Sequence, residues 1–155
     1  MSCSDEEGHP KYQNGSGVDP GFAEGELLFR RYKKEHYQGG QLLAAAFKFP
    51  SQSFNRQKYS KPEDVLHPDC CKGADLRDWG VLECSSTDLP TPIPGTDNRT
   101  FHFSAEHVPQ ECCYAHTVLL CTCGGVVVDK PSPKVREIFR VLLSQRMKVR
   151  IEATA

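Results

Sequence analysis

The sequence predicts an α+β domain: a mostly antiparallel sheet with one principal C-terminal amphipathic helix packed on it. Three observations carry this. Residues 100–107, ThrPheHisPheSerAlaGluHis, alternate apolar and polar without a break, which is the period of a half-buried strand. Val135, Ile138, Phe139, Leu142 and Leu143 recur at the spacing of one helical face. LysValArgIleGluAla, at 148–153, then returns to strand-like alternation, so strand, helix and strand follow one another near the end of the chain.

With 155 residues the chain is long enough to bury the core of a single domain. Residues 1–21 are Gly, Pro, Ser and acids with little to bury and read as a disordered tail, leaving 22–155 as the domain. The N-terminus has no apolar run of a secretion signal, and no stretch approaches the length of a membrane span. A cytoplasmic chain without membrane contact is expected, its eight cysteines mostly reduced thiols and its Asn98-Arg99-Thr100 sequon without consequence. Net charge is −1, so no global field draws the chain to nucleic acid or acidic lipid. The charges are nevertheless segregated. Residues 22–61 hold eight Lys/Arg against three Glu, whereas 62–116 hold three against ten acids. Basic segments meeting on one face would make an anion surface, and pairing with the acidic middle is the plainer expectation.

Taken in order, residues 27–32, LeuLeuPheArgArgTyr, form the first strand. Alternation puts Leu27, Phe29 and Arg31 on one face and Leu28, Arg30 and Tyr32 on the other, so each face mixes an arginine with large apolar groups. Such an arginine seeks a carboxylate or a phosphate. After Gly39-Gly40, the run 41–49 fits a short helix or a strand equally, and Pro50 ends it. In 51–62, Arg56 and Lys58 offer charge, Tyr59 a stacking face and Ser60 a hydroxyl, as in a phosphate or single-strand contact or an ordinary polar loop. Pro62 with Glu63 and Asp64 starts a short helix that stops before His67-Pro68. Residues 69–73 read as a turn and 79–85 as a strand. The three prolines of 90–98 make a surface loop, across which 79–85 and 100–107 are expected to pair as a hairpin. Beyond 117–123, Gly124-Gly125 marks a turn or bulge, and Ser132-Pro133 opens the helix.

The site-like chemistry concentrates in 101–123. His107 continues the apolar face of Phe101 and Phe103, where the plainer reading is a core-edge imidazole bonded to a backbone carbonyl. The sharper one has His107 and His116 converge across their loop, with Glu106 or Glu111 orienting a ring. Catalytic candidates are therefore His107, His116 and Tyr59. The binding candidates are Arg30, Arg56, Lys58, Tyr59, Ser60 and Glu106, with Arg30, Arg56 and His107 in one polar pocket. Cys121 and Cys123 point to one strand face and, with His107 or His116, could contribute to a zinc tetrahedron, with His116 the candidate, but no CxxC knuckle supports it. Cys70-Cys71 and Cys112-Cys113 are vicinal pairs whose side chains diverge, and a thiolate nucleophile at Cys112 or Cys113 lacks any mark of a lowered pKa. No cofactor is predicted, zinc being the one alternative. Gly-rich nucleotide fingerprints are absent.

GluLeuLeuPheArgArg (26–31), PheAsnArgGlnLysTyrSerLysProGluAspValLeu (54–66) and HisValProGlnGluCysCysTyrAlaHisThr (107–117) together resemble a pattern in short uncharacterised bacterial proteins. The resemblance implies that the three segments belong to one unit and brings no known activity. The leading expectation is thus a small soluble binding or accessory module for a protein partner or an anionic ligand. A hydrolase, nuclease or group-transfer enzyme using the His107/His116 loop and the arginines is the first alternative. A zinc-stabilised or nucleic-acid-binding domain is the second.

Overall fold

A computed structural model of the chain describes residues 18–47, 53–67, 75–96, 98–110 and 113–154. Cys70, Cys71, Glu111, Cys112 and the first seventeen residues of the expected tail lie outside these. The fold is α+β. Its main sheet contains β1 (Leu27–Tyr32), β4 (Ser53–Arg56), β5 (Gly80–Ser85), β6 (Ile93–Pro94), β7 (Thr100–His107), β8 (His116–Cys123), β9 (Val126–Val127) and β10 (Lys148–Ile151). The order is β10-β5-β1-β4-β8-β7-β6, with β9 folded back on β8, and every pairing is antiparallel. A separate two-stranded hairpin joins β2 (Tyr37–Gln38) to β3 (Gln41–Leu42) across Gly39 and Gly40. Both glycines have positive φ, the conformation that a two-residue turn of this kind requires.

Alternation sorts side chains between two faces, as the sequence requires. Leu28 and Tyr32 of β1, Leu82 and Cys84 of β5, Phe101 and Phe103 of β7, and Leu119 and Cys121 of β8 share the inner core. The one α-helix among the described residues, α1 (Pro133–Arg146), buries Val135, Phe139 and Leu143 completely against this core, and Phe139 stacks on Phe103 with ring centroids 3.9 Å apart. Ile138 and Leu142 flank the stripe half-buried. Proline at the start of α1 costs no ladder bond, because the first helical N–H groups have no intrahelical acceptor. On the other face Phe29, Val65 and Val81 make a smaller cluster beneath the 3-10 turn Pro62–Leu66.

Strand neighbours depart from the hairpin expected between 79–85 and 100–107. Both edges of β5 are taken, by β1 and β10, while β7 lies between β8 and the proline-loop residues Ile93 and Pro94. The last strand does join the sheet, but beside β5, with β5, β1 and β4 between it and β8, so the strands before and after the helix are not neighbours. Gly80 permits this crossing: a Cβ there would run into the Ile151 carbonyl and the Tyr32 ring. A register shift between Val149 and Ile151 lets Val149 serve the inner core and Ile151 the outer cluster. The run after Gly40 resolves into β3 and a 3-10 turn, Ala44–Ala46. No helix among the described residues is long and apolar enough to cross a membrane.

Candidate functional site

The three segments grouped in the sequence fall on adjacent strands, β1, β4, β8 and β7, and between them they build two polar centres. The first surrounds Arg56, which is fully buried. Its Nε and Nη2 donate to the two oxygens of Glu26 at 2.9 Å each, a bidentate pair. The remaining donors go to the Asp19 and Gly21 carbonyls, and the guanidinium lies 3.9 Å over the Phe22 ring. Burial alone would raise the Glu26 pKa, but the bonds from Arg56 and the Lys58 N–H hold it below its ordinary value. Asp19 ties in the rest. Its carboxylate accepts from Lys58 Nζ at 2.7 Å and from the Tyr59 hydroxyl, and these two bonds hold its pKa well below the usual range.

His107 closes the same centre. Its Nε2 lies 2.6 Å from the Tyr114 carbonyl, which can only accept, so the proton sits there and Nδ1 accepts the Asp19 N–H at 2.9 Å. The ring stacks on Tyr59 and meets Tyr114 edge-on. Burial lowers its pKa, with Arg56 adding to the effect, so the neutral imidazole is favoured. Both ring nitrogens of His107 and all three nitrogens of Arg56 are thereby bonded within the chain. Asp19 and Gly21, which composition assigns to a tail, are bound to the domain because Arg56 needs their carbonyls. Ser60 belongs to this centre only through its hydroxyl, which donates to the Arg56 carbonyl at 2.9 Å.

The second centre is open. Pairing of β1 with β4 covers only Leu28↔Arg56 and Phe29↔Asn55. Beyond Phe29 a cavity of about 580 Å³ occupies the seam, lined by residues of both sheet faces. Arg30, Arg31, Lys33, His36 and His116 line it, with Trp79, Phe29 and Val65 as apolar wall, and no Asp or Glu stands among its described lining residues. Arg30 donates to the Ser53 carbonyl at 2.9 Å and the Ala46 carbonyl at 3.2 Å and rides over the Phe47 and Phe54 rings. It thus meets backbone oxygens rather than the carboxylate its position called for. Burial, then the charge of Arg31, pushes its pKa down to about 10. Arg31 and Lys33 both lie over the Trp79 ring, and Lys33 pairs at 3.8 Å with exposed Glu35 at the rim.

His116 belongs to this second centre. Its Nδ1 donates to the Val108 carbonyl at 2.8 Å, which leaves Nε2 to accept the Ser53 hydroxyl at 3.1 Å. Cys113 Sγ bonds to Asn55 Oδ1 at 3.4 Å, in the same wall.

The single pocket expected around Arg30, Arg56 and His107 is therefore two. Arg56 and His107 share Asp19, whereas the partners of Arg30 overlap with neither. His107 and His116 do not converge either, because they stand nine positions apart on strands of opposite parity: His107 faces inward beside Thr117, and His116 pairs with Asn55 on the outer face. The same parity separates His116 from Cys121 and Cys123, which point together into the core, so this trio makes no metal site. No group of three His, Cys, Asp or Glu suited to a metal occurs among the described residues. Burial raises the Cys121 thiol to about 11, which removes its thiolate at neutral pH. Glu106 is exposed and does not line the cavity. Reading from sequence missed Asp19, Glu26, Ser53 and Trp79. The one signal available was Glu26 directly before the first strand. No family model, curated protein or solved structure matches the chain.

Proposed function

We propose that this domain binds a small anionic ligand in the cavity between β1 and β4. The carrying observation is charge: Arg30, Arg31 and Lys33 all line one cavity, with no carboxylate among its described lining residues. Like charges held close raise one another's free energy, and a bound anion relieves that cost while accepting charge-assisted hydrogen bonds. Trp79, Phe29 and Val65 give the ligand an apolar or planar surface to lie on. The volume falls in the range of small-molecule sites, roughly 300–1,000 Å³, which favours a compact ligand over a polymer tracked along a groove.

Trp79 is the chain's one tryptophan and so reports on the cavity directly. Pyrophosphate is expected to change its fluorescence saturably, with affinity falling as salt is added. Arg31→Ala should weaken binding by about 1.5–3 kcal/mol, the worth of a hydrogen bond to a charged group. A wild-type signal that never saturates, or that Arg31→Ala leaves untouched, would count against the reading. A second reading, hydrolase chemistry, is favoured by the Ser53–His116 contact in the same cavity.

A further inference from the structure

We infer that the anion cavity is also a hydrolytic site for carboxylic esters bearing an anionic group, with Ser53 as nucleophile and His116 as its base. The substrate class rests on the binding reading above. The catalytic pair rests on separate geometry.

A serine hydroxyl is a weak nucleophile until a base within hydrogen-bond reach can take its proton. Ser53 Oγ lies 3.1 Å from His116 Nε2. That nitrogen is free to accept because the other, Nδ1, is committed as donor to the Val108 carbonyl at 2.8 Å. A carbonyl at this position fixes tautomer and ring orientation, as a carboxylate does in the familiar triads, though without its full negative charge. Both residues stand on paired strands: Ser53 begins β4 opposite Val118, and His116 begins β8 opposite Asn55, two residues along and on the same face. Both line the cavity that Arg30, Arg31 and Lys33 also line. An exposed Ser–His bond needs no function to exist. This one opens onto a cationic cavity of small-molecule size, which a merely structural bond does not require.

Asn55 supplies the third part. It follows Ser53 by two residues on the same face of β4, and its Oδ1 is occupied by Cys113 Sγ at 3.4 Å. Its amide N–H groups are then the donors left for an oxyanion forming beside Ser53.

The chemistry balances without a cofactor. Ser53 Oγ bonds to the acyl carbon as its proton passes to His116 Nε2. The tetrahedral intermediate collapses, the ester C–O bond breaks, and the same proton goes to the departing alcohol oxygen. Water then attacks the acyl carbon and gives a proton to Nε2. Collapse breaks the bond to Ser53 Oγ, returns that proton to it and releases the carboxylic acid.

The test compares 4-acetoxybenzoate with phenyl acetate, which lacks the charge, using the full chain. Wild type should hydrolyse both above buffer and favour the anionic ester by about tenfold or more, one charge-assisted contact. Ser53→Ala should lower turnover by at least about 10²-fold, and His116→Gln should do likewise, since proton transfer of this kind is worth roughly 10²–10⁴-fold. Pyrophosphate titrated against Trp79 fluorescence shows that each variant keeps the fold and the anion cavity. A fluorophosphonate should add its mass to the peptide containing Ser53 in wild type, and not in His116→Gln over the same time. If pyrophosphate binds but wild type neither turns over ester nor labels at Ser53, the hydrolytic inference is overturned and the binding reading stands. Equal turnover by Ser53→Ala overturns it as well. Ser53-dependent turnover with no preference for the charged ester keeps the catalytic pair and overturns the substrate class, while the anion cavity stands or falls on pyrophosphate binding.

Discussion

Arg56 and Arg30 stand on the same inner face of neighbouring strands, Arg56 opposite Leu28 and Arg30 two residues further along β1. Their surroundings are opposite in kind. Arg56 has two carboxylates, two carbonyls and an aromatic face, and each of its nitrogens is bonded within the chain. Arg30 has two carbonyls and two aromatic faces, with a second arginine nearby and no ion-pair partner among the described residues. A buried guanidinium whose charge is matched within the chain is part of the architecture. One left to face a cavity with no carboxylate among its described lining residues keeps electrostatic capacity for something from outside.

The sharpest way to break this contrast is to remove the carboxylate partner of Arg56 in one variant and Arg30 itself in another. Glu26→Ala strands the buried Arg56 charge and should destabilise the fold by about 3–5 kcal/mol, read from chemical denaturation. Arg30→Met strands no carboxylate and should cost at most about 1.5 kcal/mol in stability. In pyrophosphate titrations Arg30→Met should lose about 1.5–3 kcal/mol of affinity, so the two substitutions separate stability from binding. Equal stability losses would mean that Arg30 is as structural as Arg56.

Acid should act on the closed centre first. Burial depresses His107 in the folded state, so the unfolded chain takes up a proton at higher pH than the native one does. Its contribution is complete above the unfolded value of about 6.5 and is lost as pH falls below that towards the lowered native value. Asp19, also depressed, adds a further loss as pH falls below its ordinary 3.8. Melting temperature should therefore decline on mild acidification, and His107→Gln should flatten the decline between pH 7 and 5. An unchanged slope would mean that His107 does not titrate on unfolding. The smallest effect is expected away from both centres: Arg140→Ala, whose partner Glu137 is exposed, should alter stability by about 0.5 kcal/mol or less.

Strand faces and the helix stripe were legible in the sequence because each depends on a local period. Phe101, Phe103 and His107 turn inward as their alternation requires, and Val135, Phe139 and Leu143 do so at helical spacing. The plainer expectation for His107, a bond to a backbone carbonyl, describes its contact with Tyr114. Partners were not legible. Alternation says which face a residue takes and nothing about which strand lies beside it, so β5 was expected against β7 and is found against β1 and β10. The closed centre was hidden for a related reason: Asp19 meets His107 across 88 residues, from a segment whose composition gives no sign of burial. The open centre depends on where a ladder stops. That follows from how β1 and β4 part after Phe29, which no spacing within either strand records.

The two ends of the sheet carry a consequence of their own. An outermost strand shows unpaired N–H and C=O groups, a template on which another chain can add itself. Here one border is β10, whose Lys148 and Arg150 are exposed, and the other is β6, two residues long and ending in Pro94. Charge repels an incoming copy at the first border, and at the second a proline withholds a donor from a strand already too short to nucleate growth. The sheet thus terminates itself at both ends, and chains at high concentration should remain apart instead of extending into ribbons.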